Sequence, residues 1–245
     1  MSSVGSPVFL ITGASSGIGA AIAQTIATHS PSARLVLTGR HSQRLQNVAS
    51  SLATLHTQPL LLTGSVTMPA TAQQWVSQTL QTFGQLDCLI NNAGVCGPIA
   101  LAQEVPTDEI DRVIDTNLKG PLYLMQQALS QAMITQQSGT IININSIAGQ
   151  TAFPYWAVYD ASKFGLRALT EAIADEQRSN HIRVTGIYPA AVDTPLWQTV
   201  DPHHVPDSAG MLTAQQVADA VWYIWQQPAH CHIKELVLSA LNPSV

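Results

Sequence analysis

Tyr159 and Lys163 are the residues from which chemistry is most directly argued. They stand four positions apart in a stretch with helical spacing, so their side chains share one helix face. A free tyrosine ionises near pH 10, too high for a base at neutral pH. A neighbouring ammonium favours the phenolate and lowers that value. Such a tyrosine can give a proton to a carbonyl oxygen or take one from an alcohol. Ser146 follows an apolar run and offers a hydroxyl to the same substrate oxygen. The plainer explanation of a lone Tyr/Lys pair is a solvated helix face. It is weakened because the chain has only three lysines and because a glycine-rich turn lies upstream.

That turn is Thr12-Gly13-Ala14-Ser15-Ser16-Gly17-Ile18-Gly19, set between an apolar run and a helical pattern. Glycines without Cβ atoms let the backbone turn tightly and let a pyrophosphate approach a helix N-terminus. The spacing is GxxxGxG and not GxGxxG, so the motif alone has limited weight. Gly13-Ala14-Ser15-Ser16-Gly17 also spells GxSxG, the nucleophile elbow of serine hydrolases. Ser15 with Asp193 and His204 or His230 would complete a triad in the right chain order. Position argues against it, since the elbow needs an oxyanion loop from an earlier strand–helix unit and only one strand precedes Ser15.

The positioning elements follow from apolar patterning. Val8 to Ile11, Leu35 to Leu37, Leu60 to Leu62, Leu86 to Ile90, Ile141 to Ile144, Val184 to Ile187 and Leu236 to Leu238 read as buried strands. Helical patterns run from Ile18 to His29, Leu45 to Leu55, Ala70 to Phe83, Leu118 to Met133 and Tyr159 to Arg178. Thr107 reads as a capped helix start, and Thr213 as the cap of a helix ending near Gln226. Apolar strands alternating with helices predict an α/β fold: one doubly wound Rossmann-type domain over residues 1–245, with a seven-stranded parallel sheet and helices on both faces. Pro195 to Gly210 is the one long irregular stretch, and long loops are often functional.

Composition narrows the function. Hydrophobic residues make up 46% and charged residues 10%, enough for a large core. A net charge of -5 without a basic run argues against nucleic acid. No apolar run is long enough to span a membrane, and no secretory signal is visible. Cys88, Cys96 and Cys231 read as reduced thiols, so a cytoplasmic location is expected. His203-His204 and His230-Cys231-His232 are the densest potential ligands, and solvated loops explain them better than a metal site.

The motifs together are more specific than any one of them. The chain resembles the classical short-chain dehydrogenase/reductase family over nearly its full length. Thr12 to Gly19 matches TGxxxGIG, Asn91-Asn92-Ala93-Gly94 matches NNAG, and Tyr159 to Lys163 matches YxxSK. The resemblance implies a catalytic set of Asn117, Ser146, Tyr159 and Lys163, with Asn117 holding a relay water and Lys163 also holding a ribose. It implies a dinucleotide bound by Gly13, Ser15, Ser16, Gly17, Ile18, Gly19, Ser65, Val66, Asn91, Ala93, Gly94, Tyr159, Lys163, Pro189, Val192 and Thr194. Two positions depart from the family pattern. Ser65 replaces the usual aspartate near the adenine, and Ala190 replaces the glycine after Pro189.

Arg40 bears on the choice of cofactor. The second strand ends Thr38-Gly39-Arg40, with no carboxylate for a ribose 2′-hydroxyl and a guanidinium suited to a 2′-phosphate. NADP(H) is therefore expected over NAD(H). The expected activity is an oxidoreductase moving hydride between nicotinamide and a small or medium, mainly apolar carbonyl or alcohol. Val95, Cys96, Phe153, Pro154, Tyr155, Trp156, Leu196 and Trp197 are the expected pocket residues, with 195–210 as its lid. An NADP(H)-binding regulatory protein with little turnover is the alternative. Leu118 to Met133 and Phe164 to Ala174 are apolar on more than one face, which leaves a face for a second subunit, and the resemblance implies a homodimer or homotetramer built on those helices.

Overall fold

A computed structural model describes residues 6–53, 58–200, 205 and 207–241. Its strands are β1 (Val8–Ile11), β2 (Arg34–Gly39), β3 (Leu60–Thr63), β4 (Cys88–Asn91), β5 (Gly139–Ile144), β6 (Ile182–Pro189), β7 (Val192–Asp193), β8 (Leu212–Thr213) and β9 (Glu235–Leu238). Continuous apolar runs suit strands covered on both faces. Accordingly β1, β4 and β5 are buried at every position. Seven strands form one sheet in the order β3-β2-β1-β4-β5-β6-β9, and every pairing is parallel.

Parallel neighbours require crossovers, and the helices supply them. These are α1 (Gly17–His29), α2 (Ser42–Ala53), α3 (Pro69–Phe83), α4 (Thr107–Ile114), α5 (Gly120–Ala128), α6 (Ile134–Gln136), α7 (Ala157–Glu176) and α8 (Ala214–Trp225). Ile22, Ile26, Leu45, Leu52, Val217 and Val221 from α1, α2 and α8 cover one sheet face. Trp75, Val76, Leu124, Met125 and Ile173 from α3, α5 and α7 cover the other. The chain leaves β1 towards β2 and later returns to place β4 on its opposite side. This reversal opens a crevice at the carboxyl ends of β1 and β4, where such sheets bind ligands.

Several details differ from the expectations. Strand β4 begins at Cys88 and not at Leu86. Residues 54–57, which include the expected end of the second helix, lie outside the described residues. Thr107 is the first residue of α4 and not its cap; Pro106 is the N-cap, without a side-chain cap bond. Thr213 does cap α8, in a reciprocal capping box with Gln216. The rod from Thr107 to Gln136 widens into π-helix at Asp115–Lys119 and again at Leu129–Met133. Single π turns inside α-helices are often found at functional sites.

The stretch from Pro195 to Gly210, expected to be irregular, includes short helical turns among its described residues. It holds 3-10 turns at Pro195–Thr199 and Ser208–Gly210. Its two ends are joined by the short β7–β8 pairing, Val192 with Leu212, and by a bond from Leu212 N to Ala191 O of 2.8 Å. Residues 201–204 and 206 lie outside the described residues, and with them His203 and His204.

Candidate active site

The glycine turn is built by its missing side chains. Gly13 and Gly17 have φ of 64° and 52°, a region costly for other residues. A Cβ on Gly19 would lie 2.4 Å from Gly13 O and 2.6 Å from Asn92 Nδ2. The turn can therefore close only with glycine at Gly19. Thr12 Oγ1 accepts from the backbone of both Asn92 and Ala93 at 2.9 Å, and Asn92 Nδ2 donates to Thr12 O at 2.8 Å. These bonds lock the end of β4 to the end of β1. Ser16, extended, is the N-cap of α1 and makes no side-chain cap bond; the first turn holds no acid. The leading N–H groups of α1 thus remain suited to an anion.

Other expected nucleotide contacts have distinct surroundings. Ser15 Oγ lies 3.5 Å from the point where a Gly39 Cβ would stand, beside exposed Arg40. Ser65 Oγ is engaged with Thr67 Oγ1 at 2.9 Å. Val66 is buried beneath Gly120, and a Cβ there would meet Val66 Cγ2 at 2.9 Å. Asn91 is buried and donates to Asn143 Oδ1 at 2.9 Å. Gly94 is exposed, and a Cβ on it would stand 3.4 Å from Asn117 Oδ1. Thr194 brings its methyl within 3.3 Å of a Cβ position on Gly17, so the segment after β6 meets the turn. Ala190 donates to Leu238 O at 2.8 Å and does not have positive φ. Its backbone therefore has no need of glycine.

Ser146 ends the run of β5 and caps a 3-10 turn, accepting from Ala148 N at 3.1 Å. Tyr159 and Lys163 face it from α7. Lys163 is buried, donates to Ile144 O at 3.1 Å and lies 5.6 Å from the centre of the Tyr159 ring. Burial pushes Lys163 down to about 8. Tyr159 moves the other way. Burial above all, then neighbouring Cys96, hold it well above its ordinary value, while the hydroxyl of Ser146 pulls it down. The expectation that Lys163 lowers Tyr159 is not met: desolvation of the phenolate dominates, and Lys163 is not among the groups that shift it.

Asn117 sits in the first π segment, buried. Its Oδ1 accepts from Val95 N at 2.9 Å, and its Nδ2 donates to Val95 O at 2.8 Å and Ser162 Oγ at 3.1 Å. Both donors are used, and one Oδ1 lone pair is the remaining capacity for a water. The side chain is first a staple that holds the segment after β4 against α7.

Around Tyr159 the structure gathers some of the expected pocket residues. Trp156 meets the Tyr159 ring edge-on at 5.5 Å and Trp197 at 6.3 Å. Trp197 Nε1 donates to Val192 O at 2.9 Å. Cys96 is buried near Tyr159 and Lys163, with its thiol pushed up to about 11 by burial. Phe153, Pro154, Tyr155 and Leu196 are exposed. A cavity of about 440 Å³ is lined by Asp193, Thr194, Pro195, Trp197, Gln198 and Val205. It draws on the segment after β6 and not on Val95, Cys96 or Phe153. Ser15 has no histidine partner among the described residues, and His230 is exposed.

The comparisons match this geometry. A family model described as short chain dehydrogenase matches residues 7–204. The chain belongs to the short-chain dehydrogenase family. An uncharacterized oxidoreductase of Staphylococcus aureus is 35% identical over 231 residues, which is 94% of this chain and 96% of the relative. A metagenomic short-chain oxidoreductase solved with NADP is 31% identical, with a TM-score of 0.82 over 96% of this chain and 98% of that one. An alcohol dehydrogenase from the archaeon Thermococcus sibiricus, solved with 5-hydroxy-NADP, is 26% identical with a TM-score of 0.87 over 96% and 97%.

As a short-chain dehydrogenase, the protein carries scaffold residues that sequence reasoning passed over. Ser162 lies within the matched motif, yet its role is seen only in space: it donates to Tyr159 O at 2.7 Å and accepts from Asn117. Asn145 donates to Lys163 O at 3.1 Å and accepts from Ser146 N at 2.9 Å, so it fixes both catalytic candidates at once. Its position before Ser146 was the one available signal. Among the described residues, no group of three or more His, Cys, Asp or Glu side chains clusters as for a metal, and no helix is long and apolar enough to cross a membrane.

Proposed function

We propose that this short-chain dehydrogenase is an NADP(H)-dependent reductase of small or medium, mainly apolar carbonyl compounds. The observation that carries the reading is the geometry at the carboxyl edge of the sheet: buried Lys163 donates to Ile144 O and lies 5.6 Å from the centre of the Tyr159 ring, with Ser146 just beyond the end of β5. A tyrosine that holds its proton at neutral pH is suited to give it to a carbonyl oxygen. The residues present fit a dinucleotide: the turn at Gly13, Gly17 and Gly19 leaves a cradle that side chains would fill, and the N-terminus of α1 is open to a pyrophosphate. Ser15 Oγ lies 3.5 Å from the Cβ position of Gly39, the neighbour of exposed Arg40, and Arg40 is assigned to pair with the 2′-phosphate that distinguishes NADP(H) from NAD(H).

The nicotinamide, when bound, supplies the hydride. Ser146 orients the substrate oxygen, and Tyr159 gives its phenolic proton to that oxygen. Lys163 is assigned to the ribose and to proton return, and Asn117 holds the Val95 segment that borders the site. Trp156 and Trp197, packed edge-on beside Tyr159, are assigned to the apolar wall next to the reacting groups, and the 195–210 segment, joined at its base by β7–β8, is assigned as the lid. We further assign a homodimer or homotetramer built on α5 and α7, where Leu122 and Phe164 are exposed; light scattering would then give a multiple of 26.2 kDa. A cytoplasmic location is part of the same proposal and rests on three free thiols.

The test is NADPH oxidation with a panel of neutral and charged ketones. Neutral ketones should react faster than charged analogues. Tyr159→Phe should still bind NADPH and lose about 10²–10⁴ of turnover. Near-normal turnover in that variant would overturn the assignment.

A further inference from the structure

Asp160 directly follows the proposed acid–base residue and is buried, with 4% of its surface exposed. Asp160 Oδ2 accepts from Phe153 N at 2.7 Å, reaching back across the segment that precedes α7. The Asp160 backbone N donates to Trp156 O at 2.8 Å, and Trp156 N donates to Phe153 O at 3.2 Å. One residue therefore grips both ends of the 153–156 turn.

That turn is not self-supporting. Tyr155 has φ of 72°, and a bulky residue in the left-handed region costs on the order of 1–3 kcal/mol and persists only when its surroundings impose it. Its carbonyl accepts from Ala100 N at 3.0 Å, which ties the turn to the stretch leading from Val95. Trp156, the last residue of the turn, rests edge-on against Tyr159 at 5.5 Å and Trp197 at 6.3 Å. The carboxylate is costly where it stands: Oδ1 is buried without a hydrogen-bond partner. A charge kept at that cost gives the strongest available acceptor for one backbone N–H.

We infer that Asp160 is a positioning residue for substrate selection, holding the 153–156 turn so that Trp156 forms the wall between Tyr159 and Trp197. This rests on the proposed reductase function. A competing role is purely helical, since Asp160 lies in the first turn of α7, where an acid favours the helix dipole. The two roles separate in their readouts: a dipole contribution moves Tm, and a positioning role moves substrate KM and the coupling of the two indoles.

The experiment compares the full-length wild type with Asp160→Asn, Asp160→Ala and Asp160→Ser. Asn keeps an acceptor of the same reach; Ser stays polar but is too short to span to Phe153, and carries the test if the Ala variant does not fold. NADPH turnover is measured with a small aliphatic and a bulky aromatic ketone. Ala and Ser should raise KM for both about tenfold, narrow the discrimination between them, and leave the Kd for NADPH unchanged. Asn should restore KM to within about twofold. The exciton couplet of the Trp156–Trp197 pair in circular dichroism, identified by its loss in Trp156→Phe, should weaken in Ala and Ser and persist in Asn. This readout needs no turnover. Unchanged KM and couplet in Ala and Ser, or equal damage in Asn, would overturn the inference. If Tyr159→Phe is inactive while these variants match wild type, the reductase reading stands and the positioning role falls. If Tyr159→Phe retains turnover, the acid–base assignment falls and the couplet still decides the role of Asp160.

Discussion

Replacing Lys163 with methionine should stabilise the protein while abolishing its proposed activity. Lys163 is buried and makes one hydrogen bond from Nζ, to Ile144 O at 3.1 Å. Burial lowers its pKa from 10.5 to about 8. That gap corresponds to about 3 kcal/mol of cost for the charged form. The folded chain holds this proton less tightly than the unfolded chain. Between about pH 8 and 10.5 the unfolded chain carries the extra proton, so stability rises as pH rises through that window. Below it both states are charged and the full cost persists. Methionine has similar length and no charge, but leaves Ile144 O unbonded, which costs about 1 kcal/mol. The net gain at pH 7 is about 2 kcal/mol, or roughly 4–8 °C in Tm for a chain of this size. Thermal melts of wild type and Lys163→Met at pH 7 and pH 10, without nucleotide, provide the assay. The gain should be present at pH 7 and shrink at pH 10. A methionine variant less stable than wild type at pH 7, or a difference that ignores pH, would refute the reasoning that desolvation dominates at Lys163.

Two further outcomes follow from the site. Arg40→Ala should weaken NADPH about tenfold or more while leaving NADH affinity unchanged, since one charge-assisted contact to a 2′-phosphate is removed; equal losses for both nucleotides, measured by fluorescence titration, would contradict it. Because burial holds Tyr159 above its ordinary range, carbonyl reduction should be level through neutral pH, and alcohol oxidation, which needs the phenolate, should climb with pH to about 10 and beyond; an oxidation rate that plateaus near pH 7 would show that the Tyr159 proton is lost more easily than its burial implies.

The sheet was legible in the sequence because its strands are buried on both faces. A strand such as Val8-Phe9-Leu10-Ile11 must be apolar on both sides, and that demand is written locally. The glycine turn was legible for the same kind of reason: positive φ at Gly13 and Gly17 and the tight approach at Gly19 exclude other residues. The capping box of Thr213 and Gln216 also spans only a few positions. Where the local signal was ambiguous the reading slipped, as at Thr107, where Pro106 occupies the cap position. The positions of Tyr159 and Lys163 on one face of α7 needed only the helical period.

Their protonation did not follow from that period. It depends on burial and on Cys96, which chain proximity does not bring near. The grip of Asp160 on Phe153, the Asn117 staple on Val95 and the closing of 195–210 by β7 and β8 are likewise contacts between segments that only folding brings together. Sequence by itself determined the elements, their alternation and the types of the reacting groups, because these obey short-range steric and periodic rules. The tertiary structure alone decided which groups are desolvated and what each polar atom touches, because dielectric surroundings and hydrogen-bond partners are set by the whole fold.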